Sequence, residues 1–580
     1  MTERRRRSAA ALLVGVALAT AGCVRLPDDG PVVEVQVGDQ VDQGSATDKD
    51  ARSPEEGADR LAIVDGFLDA MTAWPIQINV AKEYLSSDAA DEWEPQSSMI
   101  VYSTVLPLGE AGGEVRAELA TADRLDASGG WRGAVPPGQR TLGFQLTVED
   151  GQFRIVNPPD ALVVPESWFQ ERYRQVSVYY FDPIAQILVP EPVFVPVGEQ
   201  LATSLVSALL DGPPRRLREV VTTFVPTGLS EGLSVPVSDT GVADLSLEGE
   251  APQLSPERSE LLLAQLAWTL RQDPEITAFR LSVGGEELPL PGGATQYDLD
   301  SAAAFDPAGA DSTGLLYGLR NGRLVVGGSS SLEPIEGPFG SQRWDLAEVA
   351  VAPDVSSAAG VTADGGSVLV GAARTVDARV RTVFSGGTDL AQPAWDHANR
   401  LWLMDRALDG ARVWSLEDGE TTAIRFPGVS GADAERLLVS RDGTRLIALV
   451  SGPDGDRLVS GRVVIDGRGR VERVVDATTI WTSGGGPRLI DVAWTGPNEL
   501  AVLAPTSPRG LFEVQTLPVD GADVGVDTMN PLVTGDVVGL AGAPTQDVAV
   551  YAVLRRSLVD IRTDERISLG GAVQSLDYAG

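Results

Sequence analysis

The first stretch of the chain after residue 52 has apolar residues at helical spacing. Leu61, Val64, Leu68 and Met71 recur three or four residues apart, which is the pattern of one buried helix face. Residues 53–56, with the sequence SPEE, place a capping serine, a first-turn proline and two glutamates ahead of this pattern. We therefore expect the helix to begin at this segment.

From residue 100 to residue 155 the apolar positions alternate instead. Phe144, Leu146 and Val148 are separated by polar neighbours, which predicts a strand with one buried face. The dipeptide 150–151, Asp-Gly, predicts a hairpin turn to a second strand. Helices followed by an antiparallel meander predict an α+β domain over residues 53–170, of the nuclear-transport-factor (NTF2-like) type by fold analogy.

A second unit is predicted over residues 171–295, with the order strand, helix, strands, helix, strand. The first helix, marked by Leu201, Leu205, Ala208 and Leu209, should stop at residues 211–214 (DGPP), because glycine accepts the left-handed conformation after a helix and proline cannot continue it. The second helix should be capped at Ser255. The predicted strands are VSVYYFDP from residue 176, VADLSL from residue 242 and FRLSVGG from residue 279. This order predicts a compact α/β domain.

The remainder, residues 296–580, has a loose internal repeat. Six similar segments each lead into a short apolar strand, and their starts lie 42 to 53 residues apart: AAFDPAG at 303, VAPDVSS at 351, PAWDHAN at 393, VSRDGTR at 439, VAWTGPN at 492 and LAGAPTQ at 540. This spacing is typical of one four-stranded propeller blade. We predict a β-propeller of six blades, with five or seven as alternatives, whose ring is closed when residues 572–580 return to the first blade.

The start of the chain predicts a secretory signal at residues 1–22. Four arginines at 4–7 precede an apolar run that is too short to cross a bilayer, and small residues follow it. The next residue, Cys23, is the one cysteine in 580 residues. The segment 20–23, TAGC, resembles the lipobox of bacterial lipoproteins, which implies that the Cys23 thiol is acylated. Residues 23–52 then form a lipidated N-terminus and polar spacer.

The amino-acid composition excludes several classes of function. With 82 acidic and 46 basic residues the formal net charge is −36, so nucleic acid is not an expected partner. One cysteine and one histidine cannot build a thiol redox pair or a histidine-rich zinc site. No phosphate-binding glycine loop with lysine and no nucleophile elbow is present in the sequence. We predict no catalytic residues, no cofactor and no metal site, and hence not an enzyme.

The propeller region contains four candidate sites. Trp395 and Trp494 occupy the same place in their repeats, which favours packing between blades over sugar stacking. His397 lacks a nucleophile motif and is interpreted as structural. The segment 454–456, Asp-Gly-Asp, is interpreted as a turn rather than a calcium loop.

Two resemblances follow from these residues. The segments 178–181 (VYYF), 209–213 (LLDGP), 243–246 (ADLS) and 281–284 (LSVG) resemble the marks of GerMN domains. The order of lipidated cysteine, α+β unit, GerMN-like unit and propeller, with the segment LPDDGPV at 26–32, resembles the actinobacterial lipoprotein LpqB family over nearly the whole chain.

The second resemblance implies a function that composition does not show. It implies an accessory lipoprotein at the extracytoplasmic face of the cell membrane, which binds the sensor region of the MtrB histidine kinase and modulates the MtrA-MtrB response, with effects on envelope homeostasis and division. The partner-binding residues stay unknown. The alternatives are an envelope glycan-binding lipoprotein, indicated by exposed tryptophans on one propeller face, and a propeller hydrolase or lyase, indicated by two buried carboxylates at a central pocket.

Overall fold

The computed structural model describes residues 51–74, 78–197, 201–232, 234–251, 253–309, 314–376, 378–507, 510–522, 530–545 and 548–580. The predicted signal peptide, Cys23 and the spacer lie outside the described residues, apart from the last two spacer positions. The chain from Asp48 onward forms one compact unit, in which an α+β region, an α/β region and an all-β region follow one another.

The α+β region packs helices against two four-stranded sheets. One sheet has the strand order β5-β4-β1-β8 and the other β2-β3-β6-β7, and β1 and β8 are parallel. The helices are α1 Arg60–Ala70, α2 Ile78–Lys82, α3 Ser87–Glu92 and α4 Glu166–Arg172, and the strands are β1 Ser98–Tyr102, β2 Gly109–Ala111, β3 Glu114–Glu118, β4 Ala122–Asp126, β5 Trp131–Ala134, β6 Thr141–Glu149, β7 Gln152–Ile155 and β8 Leu162–Pro165.

The start of helix α1 differs from the prediction. The predicted start at residues 53–56 is wrong, because Gly57 adopts a φ of +77° that a helix cannot contain. The helix instead begins at Arg60 and is capped by Asp59, whose side chain accepts a hydrogen bond from the Ala62 N–H at 2.8 Å. Val64 and Leu68 are buried as predicted, whereas Leu61 in the first turn is 37% exposed.

The hairpin between β6 and β7 turns at the predicted dipeptide. Asp150 and Gly151 have φ values of +50° and +77°, the left-handed pair that this two-residue turn requires. Phe144 is fully buried, but Val148 is 58% exposed. The prediction that β6 buries one complete face is therefore wrong at its outer end.

The α/β region follows the predicted element order. Its core is formed by both helices against the sheets, and β12 and β13 are parallel neighbours. Ser255 caps the second helix by accepting from the Arg258 N–H, and Gly212, with a φ of +72°, ends the first. The helices are α5 Leu201–Leu210 and α6 Pro256–Leu270, and the strands are β9 Tyr173–Phe181, β10 Leu188–Pro196, β11 Ser230–Glu231, β12 Val242–Glu248, β13 Ala278–Val283, β14 Glu286–Glu287 and β15 Tyr297–Asp298.

Within the described residues, the all-β region contains six four-stranded antiparallel sheets, which confirms the predicted propeller of about six blades. The first blade contains strands from both ends of the region. Its strands are β16 Leu316–Arg320, β17 Arg323–Gly328 and β18 Ser331–Pro334, joined by β39 Gln574–Tyr578; helix α7 Pro338–Ser341 leads to blade 2, which is β19 Leu346–Val351, β20 Ser357–Thr362, β21 Ser367–Ala372 and β22 Arg381–Ser385.

Blades 3 to 6 each contain four consecutive strands, and the first strand of each lies innermost. Blade 3 is β23 Ala394–Trp395, β24 Leu401–Asp405, β25 Arg412–Glu417 and β26 Glu420–Ile424; blade 4 is β27 Asp433–Val439, β28 Arg445–Ser451, β29 Arg457–Ile465 and β30 Val471–Thr482; blade 5 is β31 Asp491–Gly496, β32 Glu499–Ser507, β33 Leu511–Pro518 and β34 Leu532–Thr534; blade 6 is β35 Val537–Ala541, β36 Tyr551–Leu554, β37 Ser557–Asp560 and β38 Arg566–Ser568.

The C-terminal strand closes the ring, as the sequence predicted. Strand β39 pairs with β16 and supplies the innermost strand of blade 1, with Leu316 opposite Tyr578. Leu576 and Tyr578 are packed in the core between blades 6 and 1. This closure leaves no unpaired inner strand in the first blade.

Candidate functional site: the open end of the propeller channel

The two ends of the propeller have different neighbours. Because the strands of a blade alternate in direction, the turns at 440–444 and 466–470 of blade 4 lie at the same end. The α/β region packs against this end, where the Ile184 side chain approaches Gly469 and Val464 joins the core of the α/β region. We call this end the closed face and the opposite end the open face.

A buried carboxylate holds the α/β region against the closed face. Glu191 on β10 is 2% exposed and contacts three guanidinium groups. Arg216 of the α/β region lies at 3.0 Å, Arg445 of blade 4 at 3.3 Å, and Arg462 of blade 4 also pairs with it. Burial alone would raise the pKa of Glu191, but Arg462, Arg216 and Arg445 outweigh it and hold the pKa at about 2.

Further polar contacts join all three regions of the chain. Arg216 also lies 3.4 Å from Asp126 of the α+β region, so one side chain links that region to the Glu191 cluster. Other polar contacts with the propeller include Arg132–Asp476 at 3.1 Å, Arg216–Asp476 at 3.7 Å, Gln175 Nε2 to Asp520 Oδ2 at 2.9 Å, Asn498 Nδ2 to Ser177 Oγ at 3.0 Å and Arg473–Glu219 at 2.7 Å. The three regions therefore share one network of ion pairs and hydrogen bonds.

Asp520, in this interface, should make stability depend on pH. Burial raises its pKa to about 6, and the Ala522 N–H and Arg445 offset this only in part. The folded state therefore protonates Asp520 at a higher pH than the unfolded chain does. Stability from this group is fully present below about pH 4 and is lost as the pH rises through about 6, at a total cost of about 3 kcal/mol.

We therefore expect Asp520→Asn to become more stable relative to wild type as the pH rises. The difference in unfolding free energy should shift by about 2 kcal/mol between about pH 4.5 and about pH 8, measured by urea unfolding. Asp409→Asn, at an exposed ion pair with Arg412, is the control and should show no comparable shift. A constant difference for Asp520→Asn across this range would contradict the prediction.

The open face contains the mouth of the central channel. The first residues of the inner strands surround a cavity of about 450 Å³ there, with Arg436 at its base. The Arg436 guanidinium lies 3.3 Å from Asp491 and 3.3 Å from Asp577, and also contacts Gln392. Burial by itself would lower the pKa of Arg436, but the carboxylates of Asp491 and Asp577 raise it.

Both carboxylates at this mouth also accept hydrogen bonds from backbone N–H groups. Asp491 accepts hydrogen bonds from the Leu540 and Val492 N–H groups, at 2.9 Å each. Asp577 accepts from Gly542 at 3.2 Å and from Tyr578 at 2.9 Å. Burial raises the pKa of Asp577 to about 6, an effect that Arg436 partly offsets. Through these hydrogen bonds and their ion pairs with Arg436, Asp491 and Asp577 link blades 4, 5, 6 and 1.

Exposed apolar side chains lie among the charged ones at this end of the propeller. Val538 is 48% exposed and Ile490 is 38% exposed, and both line the cavity. Leu408 lies in the turn between the second and third strands of blade 3, which is at the same end, and is fully exposed. The open face therefore combines a few exposed apolar side chains with the charged side chains of Glu348, Arg406, Glu435 and Arg555, a mixture that protein-binding surfaces also have.

The candidate residues of the sequence analysis lie elsewhere. Trp395 packs in the core between blades 2 and 3, and Trp494 in the core between blades 4 and 5, so the interpretation as inter-blade packing is confirmed. His397 lies in a closed-face turn, where its backbone N–H donates to the Arg441 carbonyl. Asp456 accepts from the Leu489 N–H at 2.6 Å and so joins blades 4 and 5 through the 452–456 turn. The Arg436 cluster was not predicted.

The described residues contain neither a metal-binding cluster nor a membrane-spanning helix. Over the parts of the chain given above, no group of three or more histidine, cysteine or acidic side chains is arranged to hold a metal ion. Within the same residues no helix is long and apolar enough to cross a bilayer.

Comparison with known proteins decides the family. A curated lipoprotein LpqB from Thermobifida fusca is 30% identical, over 93% of this chain and 94% of that protein. The chain belongs to the lipoprotein LpqB family. Lipoprotein LpqB from Streptomyces coelicolor is also 30% identical, over 90% and 89% of the two chains, and that from Mycobacterium bovis is 27% identical over 78% and 79%.

Family models agree with the three regions of this LpqB family member. Residues 53–170 match the N-terminal domain of lipoprotein LpqB, residues 177–289 match the sporulation and spore germination (GerMN) domain, and residues 322–564 match the LpqB β-propeller domain. Among solved structures, TolB from Acinetobacter baumannii is 13% identical over 54% of this chain and 85% of that chain, with a TM-score of 0.33. That likeness is too partial to carry an argument.

The family establishes the general nature of the protein. Its curated relatives are named lipoproteins, which implies a membrane-associated protein held by a lipid, and none of these names is that of an enzyme. The multidomain fold with a GerMN domain and a C-terminal propeller is that expected from the sequence.

Proposed function

We propose that this LpqB family member is a non-enzymatic accessory protein that binds the extracytoplasmic sensor region of a two-component histidine kinase of the MtrB type. The consequence would be altered signalling through MtrA-MtrB and hence effects on envelope homeostasis and division. The observation that supports this is the asymmetry of the propeller. Its closed face is occupied by the GerMN domain, while its open face presents exposed apolar and charged side chains around the channel mouth.

The physical argument rests on how a binder can affect a kinase. A ligand shifts a conformational equilibrium only if it contacts the two states with unequal free energy. A rigid surface is suited to this, because little ordering entropy is lost on binding. The buried Glu191 cluster favours such rigidity, since it joins the GerMN domain to blade 4 without an exposed linker. We propose the open face as the contact surface.

We propose a lipid anchor at Cys23, after removal of residues 1–22, with residues 23–52 as a spacer to domains at 53–170, 171–295 and 296–580. A single acyl chain holds a protein only weakly, whereas two or more hold it firmly, so multiple acylation is expected. A Cys23→Ser chain exported from a conventional signal peptide should move from the membrane fraction to the soluble fraction. Mass spectrometry of the wild-type N-terminal peptide should find acyl chains on Cys23; an unmodified thiol would contradict the anchor.

The kinase contact can be tested with purified components. The chain should crosslink to the kinase ectodomain, and Val538→Glu at the open face should weaken binding at least about tenfold, since it places a charge in an apolar contact. Val148→Glu, at a valine of the N-terminal region that is 58% exposed, is the matched control and should bind as wild type does. No complex at tens of micromolar would overturn the proposal, and equal weakening by both variants would overturn the assignment to the open face.

The structure gives less support to the two alternatives. Of the six tryptophans of the propeller within the described residues, none is exposed, so the sugar-stacking platform expected of a glycan binder is not formed there. A hydrolase would need Asp491 and Asp577 free to act on a substrate, but Arg436 and backbone N–H groups engage both. Retention on purified murein, or hydrolysis of a glycan, would favour the corresponding alternative.

A further inference from the structure

The channel of the propeller contains a second, smaller cavity toward the closed face. It has a volume of about 40 Å³, which is room for a few water-sized molecules. Its lining includes Trp395 of blade 3, Arg441 of blade 4, Trp494 of blade 5 and the residues after β39. Gln392, Arg436 and Asp577 also line it, and the Arg436 guanidinium pairs there with the Asp577 carboxylate at 3.3 Å.

Arg441 is a buried charge with no carboxylate partner among the described residues. It is 4% exposed, and its Nη2 donates to the Ala579 carbonyl at 3.0 Å, while Nε and Nη1 have no partner. The neighbouring Asp442 does not pair with it, because that carboxylate accepts from Thr444 and Ser440. Burial lowers the pKa of Arg441 to about 10, with no charged group offsetting it, so it stays ionised at neutral pH.

The other unsatisfied polar atoms of this cavity are also donors. The indole N–H groups of Trp395 and Trp494 are buried without an acceptor, although the two residues are only 6% and 5% exposed. Among the described residues that line the cavity, every buried side-chain polar atom without a hydrogen-bond partner is an N–H group. An anion can accept from all of these N–H groups at once, whereas a water molecule accepts at most two hydrogen bonds.

We propose that the cavity binds one small monovalent inorganic anion of halide size, held by Arg441 and the indole N–H groups of Trp395 and Trp494. The anion supplies the counter-charge that a buried guanidinium otherwise lacks, because an unpaired charge in a low-dielectric interior is strongly unfavourable. Its ligands come from blades 3, 4 and 5, and Ala579, which follows the closing strand, contacts the same arginine. Anion binding therefore stabilises the ring at the point where the chain closes it.

The first test compares thermal unfolding in bromide with that in gluconate, an anion too large for the cavity, at equal ionic strength. The purified chain in detergent should unfold a few degrees higher in sodium bromide, since a ligand that binds only the folded state stabilises it. Arg441→Met should remove this difference. Arg320→Met is the matched control, because Arg320 also donates to backbone carbonyls, those of Leu332 and Leu569, in the propeller but lies outside the cavity; it should keep the difference.

The second test locates the ion and does not depend on the variant folding. Crystals of the wild-type chain grown in bromide should give an anomalous peak within hydrogen-bond distance of Arg441 Nη1 and near the indole nitrogen of Trp395 or Trp494. A peak at this position together with the bromide-specific shift supports the proposal. No peak, or an equal response of both variants to bromide, would mean that the chain or water satisfies Arg441, and would overturn it.

Discussion

Replacing Glu191 with glutamine should cost about 3–5 kcal/mol of unfolding free energy, because it removes the one negative charge at the centre of three buried guanidinium groups. Arg445 and Arg462 would then lie beside each other without a paired carboxylate, since neither forms another ion pair among the described residues. Urea unfolding followed by tryptophan fluorescence should show the loss as a lower midpoint.

The variant should also loosen the GerMN domain from the propeller. Limited proteolysis under native conditions should cut the Glu191→Gln chain faster near the interface than it cuts wild type. Glu219→Gln is the matched control: Glu219 pairs with Arg473 across the same interface, but the two side chains are 67% and 46% exposed. That change should stay within about 0.5 kcal/mol. If both variants unfold alike, the buried cluster does not hold the interface.

Deleting residues 573–580 should abolish cooperative folding of the propeller. Strand β39 is the innermost strand of blade 1, and Leu576 and Tyr578 fill the core between blades 6 and 1. Each large buried side chain contributes about 1.5–3 kcal/mol, so losing Val573, Leu576 and Tyr578 together removes on the order of 5 kcal/mol or more. It also exposes β16 as an unpaired edge inside the ring.

The loss should appear as a flattened near-ultraviolet circular dichroism spectrum and as binding of a hydrophobic dye. A synthetic peptide of residues 571–580, added in trans, should restore part of the signal, because it re-forms the same pairing with β16. Gln574→Ala, at an exposed position on the same strand, should fold as wild type does. A deleted chain with an unchanged spectrum would show that the ring does not depend on this strand.

Local patterns determined much of the fold because the forces behind them are local. Gly212 and Ser255 bound helices in the structure as the sequence predicts, since left-handed backbone and side-chain capping depend on a few neighbouring residues. The repeats located the blades for the same reason. Five of the six repeated segments cover the end of the first strand of a blade and the turn that leads to its second strand. The first, at residue 303, has no such strand before it, because β39 comes from the other end of the chain.

The prediction of a helix start at residues 53–56 was wrong because a longer-range contact overrode a local preference. A serine, a proline and two glutamates are compatible with a cap, but the conformation of Gly57 moved the start to Arg60, where Asp59 caps it. Capping preferences are worth about 1 kcal/mol, which tertiary contacts readily exceed. Gly57 makes such a tertiary contact, because its N–H donates to the Gln152 side chain 95 residues away.

The candidate surfaces could be identified only from the tertiary structure. By itself the sequence determined the family, the order of domains, the repeat of the propeller and the lone cysteine, all of which are patterns of neighbours or periods along the chain. It did not pair Glu191 with Arg445 and Arg462, which lie 254 and 271 residues away, or place Asp491 and Asp577 on one arginine. With 82 acidic and 46 basic residues, the choice of partners is set by which domain faces pack together. That packing is a long-range property, so only the folded molecule decides which face of the propeller is covered and which is free.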